Sequence, residues 1–219
     1  MTESAHDRRS APGEDGARAK ARLRSEIRQR RRDRDPLRRA ADDAARTASL
    51  TRWLGRLGPP DVVACYLSIG TEPDTTALLA WLWHRGTRVI VPTTGRRTED
   101  DWCPRWAYVA PGDPLRLVDG LPEPMDPVPC HEDLTAADAI VAPALAATRQ
   151  GDRLGQGAGW YDRALVARRT DAPVCVLLNT DEVLPELPVE AHDRPVHWLA
   201  TPDGVWPTQA LAALRPRAG

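Results

Sequence analysis

Phenylalanine is missing from this chain of 219 residues, and its aromatic mass rests on eight tryptophans and three tyrosines. Lysine occurs once, as Lys20, against 29 arginines. Both biases fit a GC-rich coding background, so arginine number carries no functional weight, whereas the single lysine stands out. No run of eighteen apolar residues occurs, which excludes a transmembrane helix of the usual kind. The amino terminus has no apolar stretch behind its charges, so a cleavable secretory signal is not expected. Cys65, Cys103, Cys130 and Cys175 form no C-x-x-C pair, which excludes the zinc-ribbon and thioredoxin readings. Four reduced thiols in a cytoplasmic protein are expected instead.

The hydrophobic share of 42% and charged share of 28% describe a globular chain,. Its formal net charge of −1 hides an asymmetry. Residues 1–57 carry seven net positive charges and residues 58–219 eight net negative ones. A basic segment of this kind serves a polyanion such as nucleic acid, or docks on the protein's own acidic body. No aromatic residue interleaves the arginines from Arg18 to Arg39, which favours docking.

Residues 1–16 read as a disordered tail, and 17–219 as one domain. Helix formers run from Ala17 to Arg34, with Leu23 and Ile27 on one face. Asp35-Pro36 supplies an N-cap and first helical residue for a second helix, which Gly58-Pro59-Pro60 stops. Residues 62–67 read as a strand, 75–85 as a helix capped by Asp74, and 88–91 as a strand. Strand, helix and strand at this spacing predict a right-handed crossover and a parallel sheet. Residues 92–129 hold eight prolines and one convincing strand, 105–109. They read as loops and an edge strand covering a site. Strands at 139–142, 174–178 and 197–200 and a helix at 160–169 complete the pattern. The expected fold class is α/β: a three-layer arrangement with a mostly parallel central sheet flanked by helices, plus two added amino-terminal helices.

Residues 151–163 read G-D-R-L-G-Q-G-A-G-W-Y-D-R. Glycines after a strand and before a helix let backbone amides form a concave anion site, which a helix N-terminus reinforces. The segment is no Walker A loop, because no Lys-Ser or Lys-Thr follows, and it lacks the third glycine of a dinucleotide fingerprint. Arg153 and Arg163 can pair with phosphate, and the Asp162 carboxylate can hold Mg²⁺ beside it. The alternative is a purely structural strand-to-helix turn.

The loop resembles the G-x-R-L-G-x-G-x-G-Y-Y-D-R signature of the 5-formyltetrahydrofolate cyclo-ligase family. Further pieces follow in the family's order. Lys20-Ala-Arg-Leu23-Arg24 is similar to its K-x-x-L-R. Tyr66–Thr75 resembles its strand ending in Glu-x-Asp-Thr, and Glu123-Pro124 matches its Glu-Pro pair. Leu187–Asp193 resembles L-P-x-E-x-H-D, and Ala200-Thr-Pro its final threonine. The resemblance spans about residues 18–205. It implies an enzyme that uses ATP and Mg²⁺ to convert 5-formyltetrahydrofolate, polyglutamylated or not, into 5,10-methenyltetrahydrofolate, ADP and phosphate. It implies Lys20, Arg24 and the loop residues Arg153, Leu154, Gly155, Gln156, Gly157, Ala158, Gly159, Trp160 and Tyr161 around the nucleotide. Lys20 and Arg153 would be catalytic. Leu67, Glu72 and Trp160 would face the folate, and Asp162 and Asp193 would hold the metal. Trp102 and Trp106 belong to core or lid more readily than to a stacking site.

The departures are Ala146-Ala147-Thr148 where the family has Ala-Phe-Asp, Trp160 for a tyrosine, and His197 where aspartate is common. Loss of the aromatic at 147 is expected to open the pocket. No nucleic-acid or membrane partner is expected, and the chain is expected to be a monomer. The competing functions are an ATP-dependent enzyme of the same fold acting on another small molecule, and a nucleic-acid-binding protein using the basic helices.

Overall fold

In the computed structural model, which describes residues 14–93, 104–131 and 133–214, the chain opens with two helices, α1 (Glu14–Asp33) and α2 (Pro36–Arg56). The first starts at Glu14, ahead of the expected boundary at Ala17, and residues 1–13 lie outside the described residues. The Asp35 carboxylate accepts the Arg38 N–H at 2.8 Å with Pro36 in the first turn, the arrangement expected of an Asp-Pro cap. Gly58 follows the second helix with φ +87°, a conformation glycine adopts without strain.

The strands β1 (Val62–Cys65), β2 (Arg88–Thr93), β3 (Arg105–Val109), β6 (Val128–Pro129), β7 (Ala139–Pro143), β10 (Val174–Leu177), β12 (Trp198–Thr201) and β13 (Gly204–Pro207) form one sheet. Its order is β13-β12-β10-β7-β1-β2-β3-β6. The five strands from β12 to β2 pair in parallel, while β13, β3 and β6 add antiparallel edges. Between β1 and β2 lies the helix α3 (Thr76–His84). Thr75, not Asp74, is its N-cap. The Asp74 carboxylate instead accepts the Ser68 hydroxyl at 3.1 Å and the Thr76 hydroxyl at 2.9 Å.

All four residues of β1 are buried, as are those of β10, because both sheet faces are covered. Side chains alternate between those faces. Val63 and Cys65 pack with Leu50, Trp53 and Leu54 of α2 and Leu78 and Leu82 of α3. Val62 and Ala64 point into the opposite core, with Tyr161, Ala164 and Leu165. The three-layer reading therefore holds, with one correction: α2 is not an addition but half of one outer layer. Ile27 of α1 packs on Leu145, Ala146, Leu154 and Leu187, beside a small sheet of β8 (Ala146–Thr148), β9 (Arg153–Leu154) and β11 (Val183–Leu184).

Seven elements differ from the pattern read in the sequence. The helix expected over 160–169 is a five-residue α4 (Trp160–Ala164) continued by a 3-10 turn to Ala167. The proline-rich stretch holds a hairpin of β4 (Leu115–Val118) and β5 (Leu121–Pro124). It turns at Asp119 and Gly120, both at positive φ. The strands β8, β9 and β11 are too short to show periodicity, and β13 is an antiparallel return strand that the sequence leaves unmarked.

Candidate functional site

The chain runs from β1 to β2 on one side and reaches β7 on the other, so the sheet has its switch point between β1 and β7. In open α/β sheets ligands bind outside the carboxyl ends of strands at such a point. A cavity of about 490 Å³ opens there, bordered by Tyr66 and Leu67 after β1, Pro92 and Thr93 at the end of β2, and Pro143 at the end of β7. Hairpin residues Asp119, Leu121 and Pro122 close part of its rim. The structure brings every sequence-expected site residue to this wall: Lys20, Arg24, Leu67, Glu72, Arg153 through Asp162, and Asp193.

The first helix supplies cations because one face of it is turned inward. Lys20, Arg24, Ile27 and Arg31 recur at three- and four-residue spacing. Ile27 is fully buried, and the Arg31 guanidinium grips Glu182 at 2.7 Å from both Nε and Nη2. The same guanidinium donates to the Ala144 carbonyl at 2.7 Å. These anchors lie toward the helix's carboxyl end and leave Lys20 and Arg24 at the cavity. Lys20 is only 6% exposed, and its ammonium sits 2.8 Å from Asp193 Oδ2 and 3.1 Å from Glu190 Oε1. A solvated helix lysine would have neither contact. Arg24 Nε donates to the Gly155 carbonyl at 3.0 Å.

The glycine loop wraps the opposite wall. Gly157 has φ +114°, which side-chain-bearing residues avoid. A Cβ at position 155 would stand 2.9 Å from Arg153 Nη1, so glycine there makes room for the guanidinium. Arg153 Nη2 donates to Asp162 Oδ1 at 2.5 Å, and the Arg194 N–H donates to the same oxygen at 3.1 Å. The Nε of Arg153 and the hydroxyl of Tyr161 are buried without a hydrogen-bond partner among the described residues. Buried polar groups are normally satisfied, so these two stand out as unmatched beside the cavity. Burial pushes the Tyr161 hydroxyl above its ordinary pKa, which keeps it a donor. The helix N-terminus expected to reinforce this loop belongs to an α4 of only five residues, too short for the helix dipole expected from the sequence.

On the third wall Glu72 combines a turn contact with a place at the cavity. Its backbone N–H closes a turn to the Ile69 carbonyl at 3.0 Å, while its carboxylate lines the cavity. Burial pushes this carboxyl above the usual range, opposed by hydrogen bonds from Ile69 and Gln156 and by the Arg31 charge.

The two expected metal ligands are placed differently. Asp162 is held by Arg153, whereas the groups that come within 4.8 Å of one another are Glu190, His192 and Asp193. Sequence reasoning gave Glu190 and His192 no role, although both lie in the L-P-x-E-x-H-D stretch. It also missed Arg28, one turn beyond Arg24, and Tyr66.

Trp106 is 2% exposed in the core and meets Trp160 with tilted rings 5.2 Å apart. Trp102 and Cys103 lie outside the described residues. The expectation that Ala147 opens the pocket fails: Ala147 is wholly buried in the core and off the cavity wall. Thr148 ties its turn, exchanging hydrogen bonds at 3.1 Å with the Asp152 carboxylate and N–H. His197 is buried with Nδ1 accepting the Val174 N–H at 3.0 Å. Burial, with the Arg168 charge, lowers its pKa to about 4.

Fold and site together define an α/β protein with a charged ligand cavity at the switch point of a parallel sheet. The model of the 5-formyltetrahydrofolate cyclo-ligase family matches residues 17–202. A 5-formyltetrahydrofolate cyclo-ligase of Mycolicibacterium smegmatis is 36% identical over 190 residues, covering 84% of this chain and 94% of the relative. One from Escherichia coli is 31% identical over 150 residues, covering 66% and 79%. The fold matches a solved 5,10-methenyltetrahydrofolate synthetase of Aquifex aeolicus with a TM-score of 0.73 at 24% identity, over 91% of this chain and 95% of that one. The chain belongs to the 5-formyltetrahydrofolate cyclo-ligase family and is an enzyme of it.

Proposed function

We propose that the protein converts 5-formyltetrahydrofolate to 5,10-methenyltetrahydrofolate at the expense of MgATP. The observation that carries this reading is the single cavity whose wall joins Lys20, Arg24 and the Arg153–Tyr161 loop to Leu67 and Glu72. The formyl group is amide-like and a poor electrophile. Its oxygen attacks the γ-phosphorus, and ADP leaves. The N10 nitrogen then attacks the activated carbon and loses its proton, and phosphate departs with the former formyl oxygen. Such chemistry requires positioning and charge neutralisation more than covalent help from the protein.

Lys20, Arg24 and Arg153 would neutralise the phosphates, and the loop amides would cradle them. Glu72 would accept ring N–H groups of the pterin, flanked by Leu67 and Trp160. Asp162 and Asp193 offer the hard oxygens that suit Mg²⁺. The second oxygen of Asp162 has no protein partner among the described residues, which fits a metal or ligand contact. Magnesium bound there would offset polyphosphate charge.

No described helix is long and apolar enough to cross a membrane. Cys65 and Cys175 are free and buried, which supports a reducing, cytoplasmic setting. We read the working unit as a monomer. Size-exclusion chromatography with light scattering tests that, and a dimer mass overturns it.

The deciding experiment is an absorbance assay for methenyltetrahydrofolate, with 5-formyltetrahydrofolate, ATP and Mg²⁺ omitted in turn. Product is expected only with all three present. No product, with ATP still raising the melting temperature, would reject the folate substrate and keep the nucleotide site.

A further inference from the structure

Position 156 falls on a free position of the family's loop signature, yet the Gln156 side chain makes the most specific contacts of the loop. Arg28 donates to Gln156 Oε1 from Nε at 3.1 Å and from Nη2 at 2.8 Å. Its Nη2 also reaches the Gln156 carbonyl at 2.9 Å. A guanidinium fork on Oε1 fixes the orientation of the amide, because a flipped amide would set NH₂ against the cation. The Nε2 group is then directed away from Arg28, and it donates to Glu72 Oε1 at 3.2 Å. The other oxygen, Oε2, accepts the Ile69 N–H at 3.2 Å.

An ionised carboxylate offers about four acceptor sites. One is taken on each Glu72 oxygen, so the carboxylate is held at two points. One lone pair remains on each oxygen, the pattern that accepts two adjacent N–H donors from a planar ring. We propose that Gln156 is a positioning residue that orients Glu72 for a ring presenting two adjacent N–H donors, and that Arg28 holds Gln156 in place. This rests on the reading of Glu72 as the folate-ring acceptor. It adds a relay from the cationic helix, through Arg28 and Gln156, to the carboxylate on the far wall. The helix that carries Lys20 and Arg24 toward the nucleotide thereby also sets the geometry of the folate side.

The test is steady-state kinetics of the full chain with Gln156→Ala, Gln156→Glu and Arg28→Ala. Loss of one orienting hydrogen bond predicts a KM for 5-formyltetrahydrofolate raised about threefold to tenfold for Gln156→Ala. Arg28→Ala should move it in the same direction by less, and Gln156→Glu by more, because it sets a second carboxylate against Glu72. The rise should fall on the KM for folate and exceed that on the KM for ATP or on kcat. Equal changes in both KM values, or no change, would overturn the relay. A second readout needs no substrate: the Gln156 side-chain amide resonances should move in Arg28→Ala and in Glu72→Gln. Resonances unmoved by both overturn the relay alone. An unsubstituted protein that turns over no 5-formyltetrahydrofolate, with those resonances still moving, overturns the folate reading instead.

Discussion

The two amino-terminal helices are both rich in arginine, yet they do different work. The second, α2, buries Leu50, Trp53 and Leu54 against the sheet. Its one deeply buried cation, Arg46, donates to the Leu178 carbonyl and the Asn179 side chain at 3.0 Å. It stabilises the layer and takes no part in the cavity wall. The first, α1, has Ile27 as its only fully buried apolar side chain and carries Lys20 and Arg24 to the site. Composition alone does not distinguish them. The difference lies in which face each helix turns inward and what meets it there. Arg28 on Gln156, Arg31 on Glu182 and Arg34 on Asp181 use the first helix's charge to dock it on the acidic body.

Four substitutions would break or sharpen this contrast. The largest effect is expected from Arg31→Ala, which strands Glu182, only 1% exposed, without its cation. Breaking such a buried pair costs about 3 to 5 kcal/mol, read by urea unfolding. A loss under 1 kcal/mol would mean that α1 is held by Ile27 and its neighbours. Leu54→Ala should cost about 3 kcal/mol through the cavity it leaves, with the KM values of the surviving native fraction unchanged. A changed KM for ATP would blur the division between scaffold helix and site helix. Lys20→Ala reverses that profile: turnover at limiting ATP should fall on the order of 100-fold, while the melting temperature stays within a few degrees. Wild-type turnover would remove Lys20 from the site. The smallest effect is expected from Asp35→Ala, about 1 kcal/mol for a lost N-cap. Unaltered stability would show that tertiary packing alone sets the start of α2.

Acid provides a separate check on the core. The His197 pKa lies near 4 in the folded state, against about 6.5 when unfolded. The unfolded chain therefore binds more protons between those values. Stability should fall as pH drops from about 6.5 toward 4, and His197→Asn should flatten that slope in pH-dependent unfolding.

Much of the fold was legible because its signals are local. The Asp35-Pro36 cap, the buried strand 62–65 and the glycines of 155–159 each express a constraint carried by a few adjacent residues. What escaped depends on partners distant in sequence. The hairpin at 115–124 buries only Glu123 and Pro124 at one end and shows no apolar alternation, and its three leucines, Leu115, Leu117 and Leu121, remain exposed. Glu190 and His192 looked like loop residues until Lys20 was placed between Glu190 and Asp193.

The sequence by itself determined that the sheet would be mostly parallel and that the glycine loop would stand at a strand's carboxyl edge. Residue chemistry in short segments also singled out the lone Lys20, Arg153 and Asp162, while Arg24 and Glu72 came from the resemblance of their segments to the family's. Only the tertiary structure decided that these residues share one cavity. It also decided that α2 is a layer of the domain, that Ala147 stays off the cavity wall, and that Gln156 bridges Arg28 to Glu72. Those outcomes depend on side chains 84 and 128 positions apart meeting in space, and no local pattern specifies where such groups meet.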